Sequence, residues 1–225
     1  MKYKAIIFDM DGTIIDTEKI WQSATTNLLK QRGVDYCAEF QEEHEKKIVG
    51  LSLHKSCQIL KDIANISDKV EDLIHEMKTL ADNQYEEGIE FIDGFTQFHS
   101  IAKGHGLKKA LATNAVDSTV EITKRKLNLE KYFGTHIYNI SHVDNVCKPD
   151  PALYLHAAEK LGIDPKECIA IEDSPTGVRA ACSAGMFCIG INTSKKPDRL
   201  SESHQIIDTY SEIDLPKLLE MPKKK

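Results

Sequence analysis

The sequence predicts an α/β fold, in which helices flank a parallel β-sheet and an all-helical module is inserted after the first strand. Three observations favour this fold. Short apolar runs without polar alternation recur along the chain, which is typical of strands buried on both faces of a parallel sheet. Segments with helical spacing separate these runs, as successive βαβ units require. Residues 17 to 85, by contrast, contain helical patterns and no convincing strand.

The first strand is predicted at residues 4–8, and two aspartates follow it. Because alternate residues of an extended chain point the same way, Asp9 and Asp11 can both face one pocket. That pocket would lie at the carboxyl end of the strand, where open α/β sheets bind their ligands. Gly12 permits a tight turn directly after the pair. Taken alone, the motif is equally compatible with an Asx-rich turn that only closes the strand.

The insertion is predicted to contain four helices. Apolar residues at helical spacing indicate a first helix that ends at Gly33, and a densely charged segment indicates the second. The fourth is expected to start at a Ser67 cap and to bury the face that carries Val70, Leu73, Ile74, Met77 and Leu80. The first three helices are placed at residues 18–32, 39–49 and 53–63.

Beyond residue 88 the chain alternates between helices and strands. Strands are predicted at residues 108–113, 136–139, 168–171 and 187–191, before a weaker strand-and-helix ending. The intervening helices have recognisable ends. Asp93-Gly94 starts one, Asp117 or Ser118 caps the next, Asp150 caps a third with Pro151 at its first position, and Ser174-Pro175 opens the last.

Polar side chains follow four of the predicted strands. Since the carboxyl ends of parallel strands share one edge of a sheet, these side chains can converge. Each one alone has an ordinary structural explanation: a strand end for Thr113, a solvated loop for Lys148, and a charged helix start for Glu172 and Asp173. They are assigned to a site only as a set. That set is Asp9 and Asp11, Thr113 with Asn114, Lys148, and Glu172 with Asp173.

The order of these motifs resembles that of the haloacid dehalogenase superfamily. They read Ile6-Ile7-Phe8-Asp9-Met10-Asp11-Gly12-Thr13, Leu111-Ala112-Thr113, Lys148-Pro149 and Ile169-Ala170-Ile171-Glu172-Asp173. The resemblance spans nearly the whole chain and is strongest toward small sugar-phosphate phosphatases and β-phosphoglucomutases. It implies a Rossmann-like core, residues 1–16 and 89–225, and a type-1 helical cap, residues 17–88.

The resemblance also implies a phosphomonoester hydrolase that uses Mg²⁺. An aspartate is ionised at neutral pH, so Asp9 can attack phosphorus without a base and form an aspartyl-phosphate. Asp9 and Asp173 offer hard oxygen ligands to Mg²⁺, and the family pattern adds the backbone carbonyl of Asp11. The Asp11 side chain is then free to act as acid and base. Glu172 is placed in or just outside the metal shell.

Phosphate binding is assigned to further residues. Lys148 supplies positive charge and Thr113 a hydroxyl donor, whereas Asn114 is either a turn residue or a backbone donor. In the cap, Gly50 and Trp21 are the candidates for contact with substrate. Trp21 can stack on a sugar or anchor the cap core, and the second role is favoured. His54 is expected on a helix surface.

Two alternatives to hydrolysis remain open. Mutases of the family carry a histidine where this chain has Trp21, and a Lys-Gly-x-Ser-Arg run where it reads Val49-Gly50-Leu51-Ser52-Leu53. Without that basic pair a second phosphate has no obvious partner, so hydrolysis is favoured over phosphoryl transfer between sugar positions. A non-catalytic binding or regulatory protein is the other alternative, and the intact set of polar residues argues against it.

The composition excludes several classes of function. The 225-residue chain is 41% hydrophobic and has no apolar run of the roughly 20 residues that a membrane span needs. A net charge of −6 argues against a nucleic-acid surface. The six cysteines lack zinc-like spacing, and the early first strand leaves no room for a signal peptide. We expect a cytoplasmic monomer whose partner is a small phosphorylated metabolite.

Overall fold

Six parallel strands form a single sheet in the computed structural model, which describes residues 2–48 and 51–220. The order across the sheet is β3-β2-β1-β4-β5-β6, so the first strand is central. Phe8 at its end is in register with Leu111 on one side and Ile171 on the other. The predicted parallel α/β fold is confirmed. The strands are β1 (Ala5–Phe8), β2 (Lys108–Thr113), β3 (Ile137–Asn139), β4 (Cys168–Glu172), β5 (Phe187–Ile191) and β6 (Gln205–Ile207).

Both faces of the sheet are covered, which explains the uninterrupted apolar runs. All four residues of β1 and all five of β4 are buried. Ile6 and Phe8 belong to the core cluster on one face, whereas Ala5 and Ile7 belong to the cluster on the other. A strand that contributes to two cores has no polar face, so period-2 alternation disappears.

Along the described part of the chain, four helices follow β1 in sequence before the next strand. They are α1 (Glu18–Lys30), α2 (Ala38–Ile48), α3 (Leu53–Ala64) and α4 (Val70–Glu87). Their apolar faces meet through buried residues such as Leu28 of α1, Leu60 of α3 and Met77 of α4. The Ser67 cap was wrong, because Lys69 is the residue that precedes α4. A serine does cap the preceding helix, α3. The Ser52 hydroxyl accepts a 3.5 Å hydrogen bond from the Lys55 amide at the start of that helix.

The other helices cover the sheet. They are α5 (Phe95–Gly104), α6 (Asp117–Leu127), α7 (Glu130–Phe133), α8 (Ala152–Leu161), α9 (Pro175–Ser183) and α10 (Leu215–Glu220). Within the part of the chain described, no helix combines the length and apolar character needed to cross a membrane.

Three helix ends test the predicted caps of this second group. Val116, rather than Asp117 or Ser118, immediately precedes α6. Pro151, rather than Asp150, immediately precedes α8. The Asp150 carboxylate nevertheless accepts a 2.9 Å hydrogen bond from the Ala152 amide, the first of the helix. Ser174 does cap α9, and its hydroxyl accepts from the Gly177 amide at 3.0 Å. The two errors are small shifts at the starts of helices, where the assigned boundary commonly varies by one or two residues.

Candidate active site

The carboxyl ends of the three central strands carry the predicted motifs. Asp9 follows β1, Thr113 ends β2, and Glu172 ends β4. The backbone amide of Asp9 donates to the Ile171 carbonyl at 3.0 Å, which extends the pairing of β1 with β4 past the end of β1. This pairing keeps Asp9 beside Glu172 and Asp173, although more than 160 residues separate them in sequence.

Lys148 reaches the same point from the loop between β3 and α8. Its ammonium nitrogen lies 2.5 Å from Asp9 Oδ1, 2.6 Å from Glu172 Oε1 and 2.9 Å from the Ala112 carbonyl oxygen. Burial alone would lower the pKa of Lys148, but the charges of Asp9 and Glu172 outweigh it and raise the pKa above its usual value. Lys148 is therefore a buried, charged bridge between two carboxylates.

Asn114 holds the loop that carries Lys148. Its side-chain oxygen accepts a 3.0 Å hydrogen bond from the Lys148 backbone amide. Thr113, next to it, is buried, and its hydroxyl oxygen accepts from the Ala115 amide at 3.0 Å. That hydrogen bond uses an acceptor site and leaves the hydroxyl proton available to another oxygen. Both residues lie at the carboxyl end of β2, and their contact with phosphate stays a prediction.

Glu172 is fully buried, and partners surround its carboxylate. Besides Lys148, Oε1 accepts from the Tyr154 hydroxyl at 2.7 Å, and Oε2 accepts from the Ser174 hydroxyl at 3.2 Å. A Cβ at Gly177 would lie only 1.9 Å from Oε1, so glycine is the residue that leaves room for this carboxylate. Tyr154 and Gly177 were not identified from the sequence. No short motif marks them, because they matter only through packing against Glu172.

Asp173 completes a group of three carboxylates. Asp9, Glu172 and Asp173 each place one oxygen within 4.8 Å of the others. The Thr13 hydroxyl donates to Asp173 Oδ1 at 3.2 Å, and a Cβ at Gly12 would lie 2.2 Å from Oδ2. Gly12 also has a φ of +77°, so both its backbone and its missing side chain are required here.

The electrostatics of this group suit a divalent cation. Burial, followed by the charge of Glu172, raises the pKa of Asp9 to about 7. Burial and the charge of Asp9 raise the pKa of Asp173 well above its usual value. The residues therefore fit Mg²⁺, which is ligated by hard oxygens and would relieve this repulsion. Because the Glu172 oxygens already accept from Lys148, Tyr154 and Ser174, this carboxylate has less capacity left for a cation than Asp173 has.

Asp11 contacts the inserted helices. The hydroxyl of Tyr85, near the end of α4, donates to Asp11 Oδ1. Burial raises the pKa of Asp11, and the hydrogen bond from Tyr85 opposes the rise in part. Tyr85 was not identified from the sequence. One signal was available, because the stripe Leu73, Met77, Ala81 and Tyr85 recurs every four residues and all four are buried.

The predicted contacts within the insertion have a mixed outcome. The ring of Trp21 lies edge-on to that of Tyr85, with centroids 6.5 Å apart, which agrees with the favoured anchoring role. His54 is exposed, as expected for a helix surface. Gly50 lies outside the described residues. Contact of Gly50 or Trp21 with substrate therefore stays a prediction.

Comparisons with known proteins agree with the fold and the motif order. The family model for haloacid dehalogenase-like hydrolases matches residues 6–191. A phosphorylated carbohydrates phosphatase of Thermotoga maritima is 32% identical over 186 residues, which are 81% of this chain and 82% of that protein.

Two solved structures match over nearly their whole length. A conserved haloacid dehalogenase-like protein of unknown function from Agrobacterium tumefaciens has a TM-score of 0.80 and 26% identity, over 96% of this chain and 97% of that one. A putative β-phosphoglucomutase from Thermotoga maritima has a TM-score of 0.72 and 27% identity, over 97% of this chain and 100% of that one. With a family model that covers most of the sequence, this chain belongs to the haloacid dehalogenase-like hydrolase family.

Proposed function

We propose that this protein is a Mg²⁺-dependent phosphatase that hydrolyses a small phosphorylated metabolite, with a sugar phosphate as the first candidate, through an aspartyl-phosphate. One observation carries the proposal. Asp9 is only 7% exposed, and its carboxylate lies 2.5 Å from the Lys148 ammonium, at the sheet edge where Asp11 and Asp173 also lie. A buried carboxylate held by a cation, with a second aspartate two residues away, is the arrangement that nucleophilic phosphoryl transfer needs.

The reaction has two steps. An Asp9 oxygen bonds to phosphorus while the bond from phosphorus to the ester oxygen breaks, and protonated Asp11 gives its proton to the departing oxygen. The raised pKa of Asp11 suits this acid role. Water then attacks the phosphorus of the aspartyl-phosphate, Asp11 takes the proton from water, and phosphate leaves as Asp9 is regenerated. Lys148 and the Thr113 hydroxyl stabilise the negative charge on the phosphoryl oxygens.

Asp9, Asp173 and the Asp11 backbone carbonyl would hold the Mg²⁺ ion. When bound, the ion neutralises the repulsion between the carboxylates and the incoming phosphate. Glu172 is assigned the neighbouring role of fixing Lys148, since its own oxygens accept from Lys148, Tyr154 and Ser174. That role differs from direct ligation and can be tested separately.

Hydrolysis is favoured over mutase chemistry at one position. Trp21 packs against Tyr85 where mutases of the family place a histidine, and an indole cannot accept or deliver a proton in catalysis. The name of the Thermotoga maritima relative, a phosphorylated carbohydrates phosphatase, also supports hydrolysis of a sugar phosphate. A non-catalytic binding protein is less well supported, because it would have no need for the buried pairing of Lys148 with Asp9 and Glu172.

Residues 17–88 are proposed as a cap that selects the substrate, over a core of residues 1–16 and 89–225. The core residues contact only phosphate in this scheme, so discrimination between esters falls to the insertion. Attachment of the insertion through two crossings of the chain, with Gly88 at one of them, would permit the opening that substrate needs. A monomeric state and a cytoplasmic location complete the proposal. The buried free thiols of Cys57, Cys168 and Cys188 support the location, because such thiols are ordinary in the reducing cytosol.

Phosphate release from a panel of phosphorylated sugars and related metabolites tests the proposal, with Mg²⁺ and with excess EDTA. Release of phosphate that requires Mg²⁺ is the expected result. Conversion of β-glucose 1-phosphate to glucose 6-phosphate without release of phosphate would support the mutase instead. A metal-replete preparation that turns over no phosphate ester, including p-nitrophenyl phosphate, would contradict both enzymes and favour the binding protein.

A further inference from the structure

We propose that Tyr85 is a positioning residue for Asp11. Acid catalysis would then depend on the position of helix α4, in the insertion, relative to Asp11. The inference rests on the proposed function, in which Asp11 protonates the leaving oxygen. It adds a role for a residue that touches neither phosphate nor metal in that scheme.

The contact between Tyr85 and Asp11 is direct and buried. The Tyr85 side chain is fully buried, and its hydroxyl donates to Asp11 Oδ1. A carboxyl whose Oδ1 accepts from a fixed donor has a restricted rotamer, and its other oxygen, Oδ2, is left to carry the proton. An acid that must reach one ester oxygen gains rate from such orientation.

The ring of Trp21 packs against that of Tyr85. The two rings lie edge-on, with centroids 6.5 Å apart. This contact restricts the Tyr85 ring and so helps to keep its hydroxyl at Asp11.

The face of α4 that carries Tyr85 also forms a hydrogen bond and ion pairs with helix α6, which follows β2. Asp82 accepts a 3.1 Å hydrogen bond from the Thr119 hydroxyl, and Glu86 pairs with Lys126 at 3.3 Å and with Arg125. Positions 82, 85 and 86 lie on one side of the helix, because residues three and four apart are neighbours. The Tyr85 hydroxyl is thus held at Asp11 by contacts on both sides of it along α4.

Leaving-group dependence distinguishes positioning of an acid from a general structural role. Tyr85→Phe removes the hydroxyl and keeps the buried ring. We expect kcat/KM for a sugar phosphate or another alkyl phosphate to fall about tenfold, part of what a general acid contributes. For p-nitrophenyl phosphate, whose leaving group needs little protonation, the loss should stay within about twofold.

Two controls belong to this experiment. Tyr36→Phe removes another hydroxyl from the insertion, one 2.8 Å from His44 Nδ1, and should leave kcat/KM for both substrates unchanged. In an Asp11→Asn background, Tyr85→Phe should cause no further loss, since a positioning residue cannot act on an acid that is absent. The Mg²⁺ concentration for half-maximal activity should not change in Tyr85→Phe.

Each adverse result has a separate meaning. An equal loss on both substrates, or no loss on either, would overturn the inference while the proposed function stands. A further loss in the Asp11→Asn background would also overturn it, because Tyr85 would then act by another route. A wild-type protein that releases no phosphate from any ester would overturn the proposed function, and the inference with it.

Discussion

The Lys148 ammonium lies 2.5 Å from a carboxylate oxygen of Asp9, and the two groups are joined although 139 residues separate them. Both side chains are nearly inaccessible to solvent, so each depends on the other to remain charged.

Asp9→Asn keeps the shape of the side chain and removes its charge. We expect turnover to fall at least about a thousandfold, as for loss of a member of a concerted catalytic unit. Rapid-quench assays with a phosphorylated substrate measure the loss, and circular dichroism checks the fold. Retained activity, or phosphate trapped on another residue, would contradict the role of Asp9.

Removal of a ligand tests the metal site. Asp173→Asn should raise the Mg²⁺ concentration needed for half-maximal activity or abolish turnover, because it replaces one of the proposed anionic ligands with a neutral amide. Ca²⁺, which prefers more ligands and looser geometry, should inhibit the wild-type enzyme. Titration of activity with each cation provides the measurement. An enzyme fully active in excess EDTA would exclude the site as proposed.

The raised pKa of Asp9 predicts how stability depends on pH without metal. The folded pKa is about 7 and the reference value is 3.8, so between these values the folded state binds more protons than the unfolded state. The free energy of unfolding should therefore fall as the pH rises from about 4 to about 7. Asp173, also raised, acts in the same direction. Mg²⁺ binds the ionised carboxylates, so it should raise the Tm more at pH 8 than at pH 5.

Differential scanning calorimetry at several pH values, with Mg²⁺ or EDTA, measures this effect. Asp9→Asn removes one titrating group and should flatten the dependence in EDTA. A Tm increase on addition of Mg²⁺ that is equal at pH 5 and pH 8 would show that these carboxylates do not titrate as described.

Gly177 should tolerate no side chain. A Cβ at this position would lie within 2.0 Å of both Glu172 carboxylate oxygens, so Gly177→Ala must displace the carboxylate or the helix. We expect a loss of about 1–3 kcal/mol in the free energy of unfolding, typical of overpacking, together with reduced activity through Lys148. Urea denaturation gives the first quantity. Gly104→Ala is the matched control, since nothing lies within 4 Å of its Cβ, and it should be neutral or stabilising.

The sequence was sufficient for the sheet and for the carboxylates at its edge, for a general reason. Strands of a parallel sheet end on a common edge, so a motif placed after a strand is located without knowledge of packing. Tyr85 could not be found in this way. Its contact with Asp11 spans 74 residues and depends on how α4 sits against α6, which no local pattern encodes.

The roles of Gly177 and Ser52 were missed for related reasons. Gly177 matters only because Glu172 is folded against it, which is a property of two side chains rather than of a motif. Ser52 lies between the second and third predicted helices, where no cap was assigned, and it caps α3. Local hydrogen bonds decide between neighbouring candidates for a cap, and residue type alone leaves a choice of several.

The central position of β1 has a consequence for synthesis of the chain. Ala5 pairs with Lys108 on one side and with Cys168 on the other, so β1 is made long before either neighbour. Until Cys168 has left the ribosome, at least one edge of this very apolar strand has no partner, and nascent chains in that state are prone to aggregate. Pairing at such long sequence separation also slows folding. A chain released before β4 would contain Asp9 and Asp11 but could not assemble the catalytic centre.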